Sequence, residues 1–297
     1  MLSLMTMTNE ENGVIVVTGA TGTVGSEVVR RLAAAGHRVR AVVRDEAAAA
    51  ARLGPGVEFA PGDLSDPGTL EKALTGATRM YLLSPLVPEL PVWEAGAIAA
   101  AQRSGIRHLV KHSNIGAADD AASRMQRWHR AGEELIENCG MAWTFIRPTG
   151  FMTNALAWAA TIRAQGAVYW TGGDGRIAVV DPRDIAAVAV AALTATGHDG
   201  KAYDITGPQP LSNAEQTAAI AEAIGRPLRY VDIPEAAARD NMLAMGMPAE
   251  IVEGLLEFTA ETRTGPDQAV SSAIPDVTGH PARTFTAWAA ENAAAFR

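Results

Sequence analysis

The sequence predicts an α/β fold: a doubly wound parallel sheet followed by a smaller, mostly helical C-terminal lobe on the substrate side. Three observations predict it. From Gly13 onward, short β-rich runs alternate with alanine-rich helical stretches, the rhythm of strand–helix–strand units with helices on both faces of one sheet. A glycine-spaced turn joins the first strand to the first helix. After Pro148 the rhythm loosens, and roughly the last 90 residues carry helical spacing.

Met1 to Asn12 reads as a flexible tail. Val14 to Thr18 is an apolar strand, and Ser26 to Ala35 a helix stopped by Gly36. Val39–Arg44, Val57–Ala60, Met80–Leu83, His108–Lys111 and Trp143–Ile146 supply the following strands, with helices between them. Later, Asp181 is placed to cap a helix, with Pro182 in its first turn and Asp184 at capping-box spacing. Ala202 to Ile205 adds a strand. Ser212 and Glu215 form a second capping box, on a helix that Gly225 ends. Gly172 to Gly175 lacks a strand-to-helix context and reads as a turn.

Composition bounds the function. The chain has 297 residues, 48% hydrophobic and 20% charged, enough apolar material for a sizeable core. Its net charge of −8 argues against wrapping nucleic acid, which needs clustered basic residues. Cys139 is the only cysteine, so no internal disulfide forms, and a reducing cytoplasm is expected. The N-terminus lacks the basic start and apolar stretch of a signal peptide. The longest apolar run, Ile185 to Leu193, is far short of the roughly 20 residues of a membrane helix.

The turn Gly19-Ala20-Thr21-Gly22-Thr23-Val24-Gly25 follows an apolar strand and opens an amphipathic helix. That is the setting of a dinucleotide-binding, Rossmann-type fingerprint. Gly19 permits the sharp turn, Gly22 lets the backbone approach a pyrophosphate, and Gly25 lets the helix pack on the sheet. The helix N-terminus then offers free N–H groups and partial positive charge to phosphates. Residues 13–150 are therefore read as a dinucleotide domain, with 176–206 adding to it and most of 151–297 forming the other lobe.

At the end of the second strand Arg44 precedes Asp45. A guanidinium there can grip the 2′-phosphate of NADP(H), whereas an acidic residue would favour the ribose hydroxyl of NAD(H). NADP(H) is the expected cofactor, with NAD(H) still open through Asp45. Two further strand ends face the same crevice. Asp63, in Gly62-Asp63-Leu64, could accept from the adenine amino group, and Ser84-Pro85 lies where the cofactor's ribose would pass.

Taken together, TGATGTVG, Arg44, GDLSD, LLSP, the serine after the fifth strand and FIRPTGFMTN resemble the NmrA-like group of atypical short-chain dehydrogenases. The likeness extends to Tyr203-Asp204-Ile205-Thr206-Gly207 and the terminal TGHPARTFTAWAAENAAAF. It implies NADPH-dependent reductases of quinones, azo compounds, imines and dyes, and also regulators that bind the cofactor without turnover. By family position, Pro148 to Phe151 would lie near the nicotinamide carboxamide and Asn154 near the pocket mouth.

One departure bears on the chemistry. The family's relatives usually carry Tyr-x-x-x-Lys on the helix after the fifth strand. That alignment puts His129 at the tyrosine position and Glu133 at the lysine position, with Ser113 or Asn114 at the catalytic serine. His129 and Glu133 share one helix face, and an anionic Glu133 would hold His129 protonated as a general acid. A boundary histidine on the flank of the apolar face traced by Met125, Trp128, Gly132, Leu135, Ile136 and Cys139 is the other reading. Pro85, Phe151, Met152, Trp158, Trp170, Met242, Met245 and Met247 are candidate walls of an apolar acceptor pocket.

The expected function is NAD(P)H-dependent hydride transfer to a small conjugated acceptor of quinone, azo, imine or enone type. An NADP-sensing regulator with a protein partner and a non-redox isomerase or cyclase are the alternatives. A monomer or homodimer is expected, with no bound metal: His108 and His112 lie on a strand, where their spacing does not converge. Neither a GxSxG elbow nor a P-loop lysine occurs.

Overall fold

The structure, a computed structural model, describes residues 13–118 and 121–297. The tail expected over Met1–Asn12 lies outside the described residues. Two compact units are distinguished. One is formed from the chain up to Ala121 with Gln126–Arg147 and Ile185–Asp204; the other from Ala122–Met125, Pro148–Asp184 and Ile205–Arg297.

The first half alternates strictly: β1 (Val14–Val17), α1 (Thr23–Ala34), β2 (Val39–Val43), α2 (Glu46–Leu53), β3 (Val57–Pro61), α3 (Pro67–Leu74) and β4 (Ala77–Leu82). It continues with α4 (Leu90–Arg103), β5 (His108–His112), α5 (Arg124–Glu137) and β6 (Ala142–Pro148). A 3-10 turn (Met152–Trp158), α6 (Ala159–Gln165), β7 (Ala167–Trp170), β8 (Arg176–Ile177), α7 (Pro182–Thr194) and β9 (Lys201–Ile205) follow. Then come β10 (Leu211–Ser212), α8 (Asn213–Ile224), β11 (Arg229–Asp232), α9 (Glu235–Ala244) and α10 (Ala249–Thr264). The chain ends with α11 (Ala273–Thr278) and α12 (Phe285–Glu291).

Seven strands form one sheet in the order β3-β2-β1-β4-β5-β6-β9. Pairings from β3 across to β6 are parallel, as connections through helices require. The order reverses between β1 and β4, so the switch-point crevice of an open α/β sheet lies beyond their carboxyl ends. Every residue of β1 is buried, which is why that strand is apolar throughout rather than alternating. The strand expected at Ala202 is β9, on the sheet edge beside β6.

In the second unit, one core gathers Met152, Ile162, Val168, Ile220, Phe285, Trp288 and Phe296. A smaller one gathers Ala238, Met242, Val252 and Leu256. The Ser212–Glu215 capping box forms reciprocally, at 3.2 and 2.8 Å. Asp184 does not complete the box expected at α7. Its carboxylate instead accepts from the backbone N–H of Arg283 at 2.8 Å and from that residue's guanidinium, a charged partner that outcompetes a local turn. Gly172 to Gly175 is a turn, closed by a 3.1 Å bond from Gly175 N to Gly172 O. No helix of the described residues is long and apolar enough to cross a membrane.

Candidate active site

Thr18 ends β1 and ties the glycine turn to the end of β4. Its hydroxyl donates to Leu83 O at 3.0 Å and accepts from Leu83 N at 2.9 Å. Gly19 follows with φ +59°, in the left-handed region, and a Cβ there would meet Leu83 Cδ2 at 2.4 Å. A Cβ on Gly25 would lie 2.1 Å from Gly19 O, so the helix packs on the turn only without one. Gly22 is the N-cap of α1, and no side chain caps that helix. Its first-turn N–H groups are thus left for a ligand, with Thr21, Gly22 and Thr23 exposed around them. Ala20 and Val24 are buried and offer backbone only. This bare-backbone cradle fits a pyrophosphate.

At the end of β2, Arg44 is exposed, and among the described residues it makes no hydrogen bond or ion pair. Asp45 is committed elsewhere: its Oδ1 accepts from Ala48 N at 3.0 Å and caps α2. Asp63 accepts from Ser65 N and Oγ at 2.9 and 2.8 Å. Those two bonds, chiefly the backbone one, hold its carboxyl below the usual range against some burial, with Arg44 adding to the effect. The Leu64 side chain belongs to the core of this unit. Pro85 is exposed, whereas Ser84 Oγ is buried without a hydrogen-bond partner.

Beyond β5 and β6 lies a buried polar cluster. Ser113 Oγ donates to Glu133 Oε1 at 2.6 Å, and Arg147 grips both Glu133 oxygens, from Nε at 2.9 Å and Nη2 at 2.5 Å. Beside it, Lys111 Nζ donates to Glu94 Oε1 at 2.6 Å and to His112 O at 3.3 Å, and meets His129 Nδ1 at 3.3 Å. Tyr81 OH lies 2.8 Å from His112 Nδ1. Burial, with Lys111 second, lowers the His112 pKa to about 3. His108 meets Thr144 Oγ1 at 2.9 Å instead of sharing a partner with His112. Among the described residues no group of acidic, histidine or cysteine side chains is arranged to hold a metal.

The expected His129–Glu133 pair is not what the structure shows. Glu133 is taken by Ser113 and Arg147, while His129 turns to Lys111. Burial, then the Lys111 charge and then His112 push the His129 pKa well below its ordinary value. The apolar face expected on α5 is kept in part: Met125, Gly132 and Ile136 are buried and Cys139 packs against the core, but Leu135 is 45% exposed. His129 and Glu133 also point inward, because Lys111, Ser113 and Arg147 supply their polar partners. Gly132 is required for a different reason than apolar packing: a Cβ there would lie 2.2 Å from Glu94 Oε2.

Pro148, Phe151, Met152, Asn154 and Trp158 belong to the second unit. Pro148 closes β6, and Phe151 bridges Val180. Asn154 is exposed and Trp158 half-buried. Met152, at 1% exposure, is a core side chain rather than an open wall. Met242 is likewise core, with Met247 and Trp170 packed against it, while Met245 is 78% exposed. The three methionines therefore do not share one surface.

Lys111, Glu94 and Arg147 were not singled out as functional from the sequence. A signal existed: a lysine inside a buried parallel strand, and a glutamate in the apolar helix Leu90–Arg103, each demand a partner.

The family profile described as NAD(P)H-binding matches residues 19–196. The chain is 44% identical over 282 residues to the NAD(P)H azoreductase of Xenophilus azovorans, covering 95% of this chain and 99% of that one. It is 42% identical to the (4-alkanoyl-5-oxo-2,5-dihydrofuran-3-yl)methyl phosphate reductase of Streptomyces griseus, with 95% and 99% coverage. Among solved structures, the NADPH complex of the Escherichia coli quinone oxidoreductase QOR2 superposes with a TM-score of 0.83. Identity there is 25%, over 93% of this chain and 99% of the other.

Proposed function

The chain belongs to the NAD(P)H-binding family and is an NAD(P)H-dependent oxidoreductase, and from that premise we propose that it reduces small, electron-poor, conjugated acceptors with NADPH. Azo compounds, quinones and enones are the acceptor class. The names of the azoreductase, the dihydrofuranone reductase and the quinone oxidoreductase to which it is similar support that class.

The observation that carries the reading is the polar cluster where a tyrosine–lysine pair is usual. Glu133 stands at the lysine position with its oxygens engaged by Ser113 and Arg147, and His129 stands at the tyrosine position, buried. Without an activated phenol, an unactivated ketone is a poor acceptor. A conjugated acceptor delocalises the incoming electron pair and needs less help.

Bound NADPH supplies the hydride. The residues do the rest. The α1 N-terminus and the Gly19–Gly25 backbone hold the pyrophosphate, and Arg44 takes the 2′-phosphate. The Asp63 and Leu64 segment borders the adenine, and Ser84 and Pro85 the ribose. Ser113, its proton committed to Glu133, presents lone pairs as an acceptor toward the ribose or carboxamide. In the second unit, Pro148 and Phe151 are the residues proposed for the nicotinamide, and Phe151, Asn154 and Trp158 those proposed for the acceptor; in the first, His129 is the proposed proton donor. Lone Cys139 suits the reducing cytoplasm we propose for it.

The test is NADPH oxidation by purified protein with a panel of azo dyes, quinones and enones. Turnover with at least one class is expected. Cofactor binding without oxidation across the panel would remove the reductase reading and leave a cofactor sensor.

A further inference from the structure

Lys111 and Glu94 have no exposed side-chain surface, yet they form more than a closed ion pair. An ammonium group has three N–H donors. Lys111 directs one to Glu94 Oε1, one to His112 O and the third to His129 Nδ1. Nδ1 therefore accepts, and the imidazole carries its proton on Nε2. Among the described residues His129 makes no other hydrogen bond, and 8% of the residue remains exposed. The charged groups facing it agree with a neutral ring. Lys111 and His112 on β5 both oppose protonation, Glu94 on α4 pairs with Lys111 through Oε1 alone, and Glu133 on its own helix is held by Arg147 of β6 with Arg130 3.7 Å away.

A neutral imidazole is a poor acid unless its second nitrogen gains a proton as the first loses one. Resting on the reductase reading, we infer that Lys111 is the buried proton source for His129, and that the pair works by a tautomer shift without an imidazolium intermediate. The Nε2–H bond breaks and that proton goes to the acceptor atom left electron-rich by hydride. Nδ1 takes a proton from Lys111 Nζ, leaving a neutral ring in its other tautomer and a neutral amine beside Glu94. After product leaves, Nε2 takes a proton from water, and Nδ1 returns its own to Lys111. Lys111 is a positioning and proton-storing residue; His129 is the one that meets the acceptor. Gly132 keeps the arrangement possible, since any larger residue would displace Glu94.

Two measurements test this. Imidazole nitrogen NMR on the protein without cofactor, assigned with His129→Phe, should find His129 neutral and protonated on Nε2 through the range in which an ordinary histidine titrates. A ring protonated on Nδ1, or titrating near its ordinary value, overturns the inference. The second compares an azo dye, which needs hydride and a proton, with a cationic triphenylmethane dye, which needs hydride alone. In His129→Phe, and in Lys111→Met/Glu94→Leu where neither charge is stranded, the azo-to-cationic rate ratio should fall by about 100-fold. Equal losses on both dyes overturn the relay while leaving hydride transfer standing. A wild-type protein that oxidises NADPH with neither these dyes nor any quinone or enone defeats the reductase reading, and the relay with it.

Discussion

Ser113 Oγ donates to Glu133 Oε1 at 2.6 Å, in a site where neither residue is more than 2% exposed. The bond spends the serine's only proton on the carboxylate, and Arg147 completes the pairing from the other side. Glu133 is fully buried, whereas the Arg147 side chain is 21% exposed. Their losses should therefore be unequal. Arg147→Ala leaves the buried carboxylate with only Ser113 and the more distant Arg130, 3.7 Å away, and should cost about 3 kcal/mol, while Glu133→Ala leaves a cation that reaches water and should cost less. Urea unfolding of both variants decides it; equal costs, or a larger cost for Glu133→Ala, contradict the account.

The cofactor end makes a separate prediction. Arg44 is free to meet a 2′-phosphate, and Asp45 is occupied as a helix cap. Arg44→Ala should weaken NADPH binding by about 10- to 150-fold, the span of a charge-assisted contact, and NADH binding far less. Asp45→Ala should lower stability by about 1 kcal/mol through the lost cap. Its NADH affinity should stay unchanged in calorimetry; a matching loss of NADH binding would return Asp45 to the ribose.

Much of this was legible in the sequence, and what was not has a physical cause. The sheet could be read because strand–helix alternation and apolar strands are local signals. The glycine turn could be read because Gly19 and Gly25 act through backbone, which no partner elsewhere redirects. The α5 site could not. Helical spacing says which residues share a face with His129, but which way that face turns depends on Lys111, Ser113 and Arg147, all distant in sequence. A charge read as Glu133 acting on His129 proved to be Lys111 acting on it, with the opposite sign. Asp184 shows the same limit, drawn to Arg283 across 99 positions.

Buried histidines set the acid side of stability. Burial lowers the pKa of His112 to about 3 and of His108 to about 4, from an ordinary 6.5. In the unfolded chain both titrate near the ordinary value, so between about pH 4 and 6.5 the unfolded state binds more protons. Their contribution is complete above that window and is lost as pH falls through it. Each should add a slope of about 1.4 kcal/mol per pH unit there. Glu94, Asp184 and Asp204, whose carboxyls burial raises, work in the opposite sense where the windows overlap. His112→Gln isolates the histidine share: its stability should vary less steeply across the window than the wild type's. An unchanged slope in denaturant titrations rejects the assignment.

Gly22 and Gly25 separate binding from folding. A Cβ at position 22 would sit 3.2 Å from Gly19 O, a distance that a small shift relieves, on an exposed surface. At position 25 it would sit 2.1 Å from the same oxygen and 2.8 Å from its carbon, inside the packed turn. Gly22→Ala should keep nearly the wild-type Tm and lose about tenfold or more in NADPH affinity, because the added methyl stands where the pyrophosphate must approach the backbone. Gly25→Ala should lose both, since helix and turn cannot keep their spacing; overpacking of that kind costs about 1–3 kcal/mol. Thermal unfolding and calorimetry on the two proteins give the comparison. If Gly22→Ala binds NADPH as tightly as the wild type, the pyrophosphate does not lie on this turn, and the free N–H groups of α1 serve some other anion.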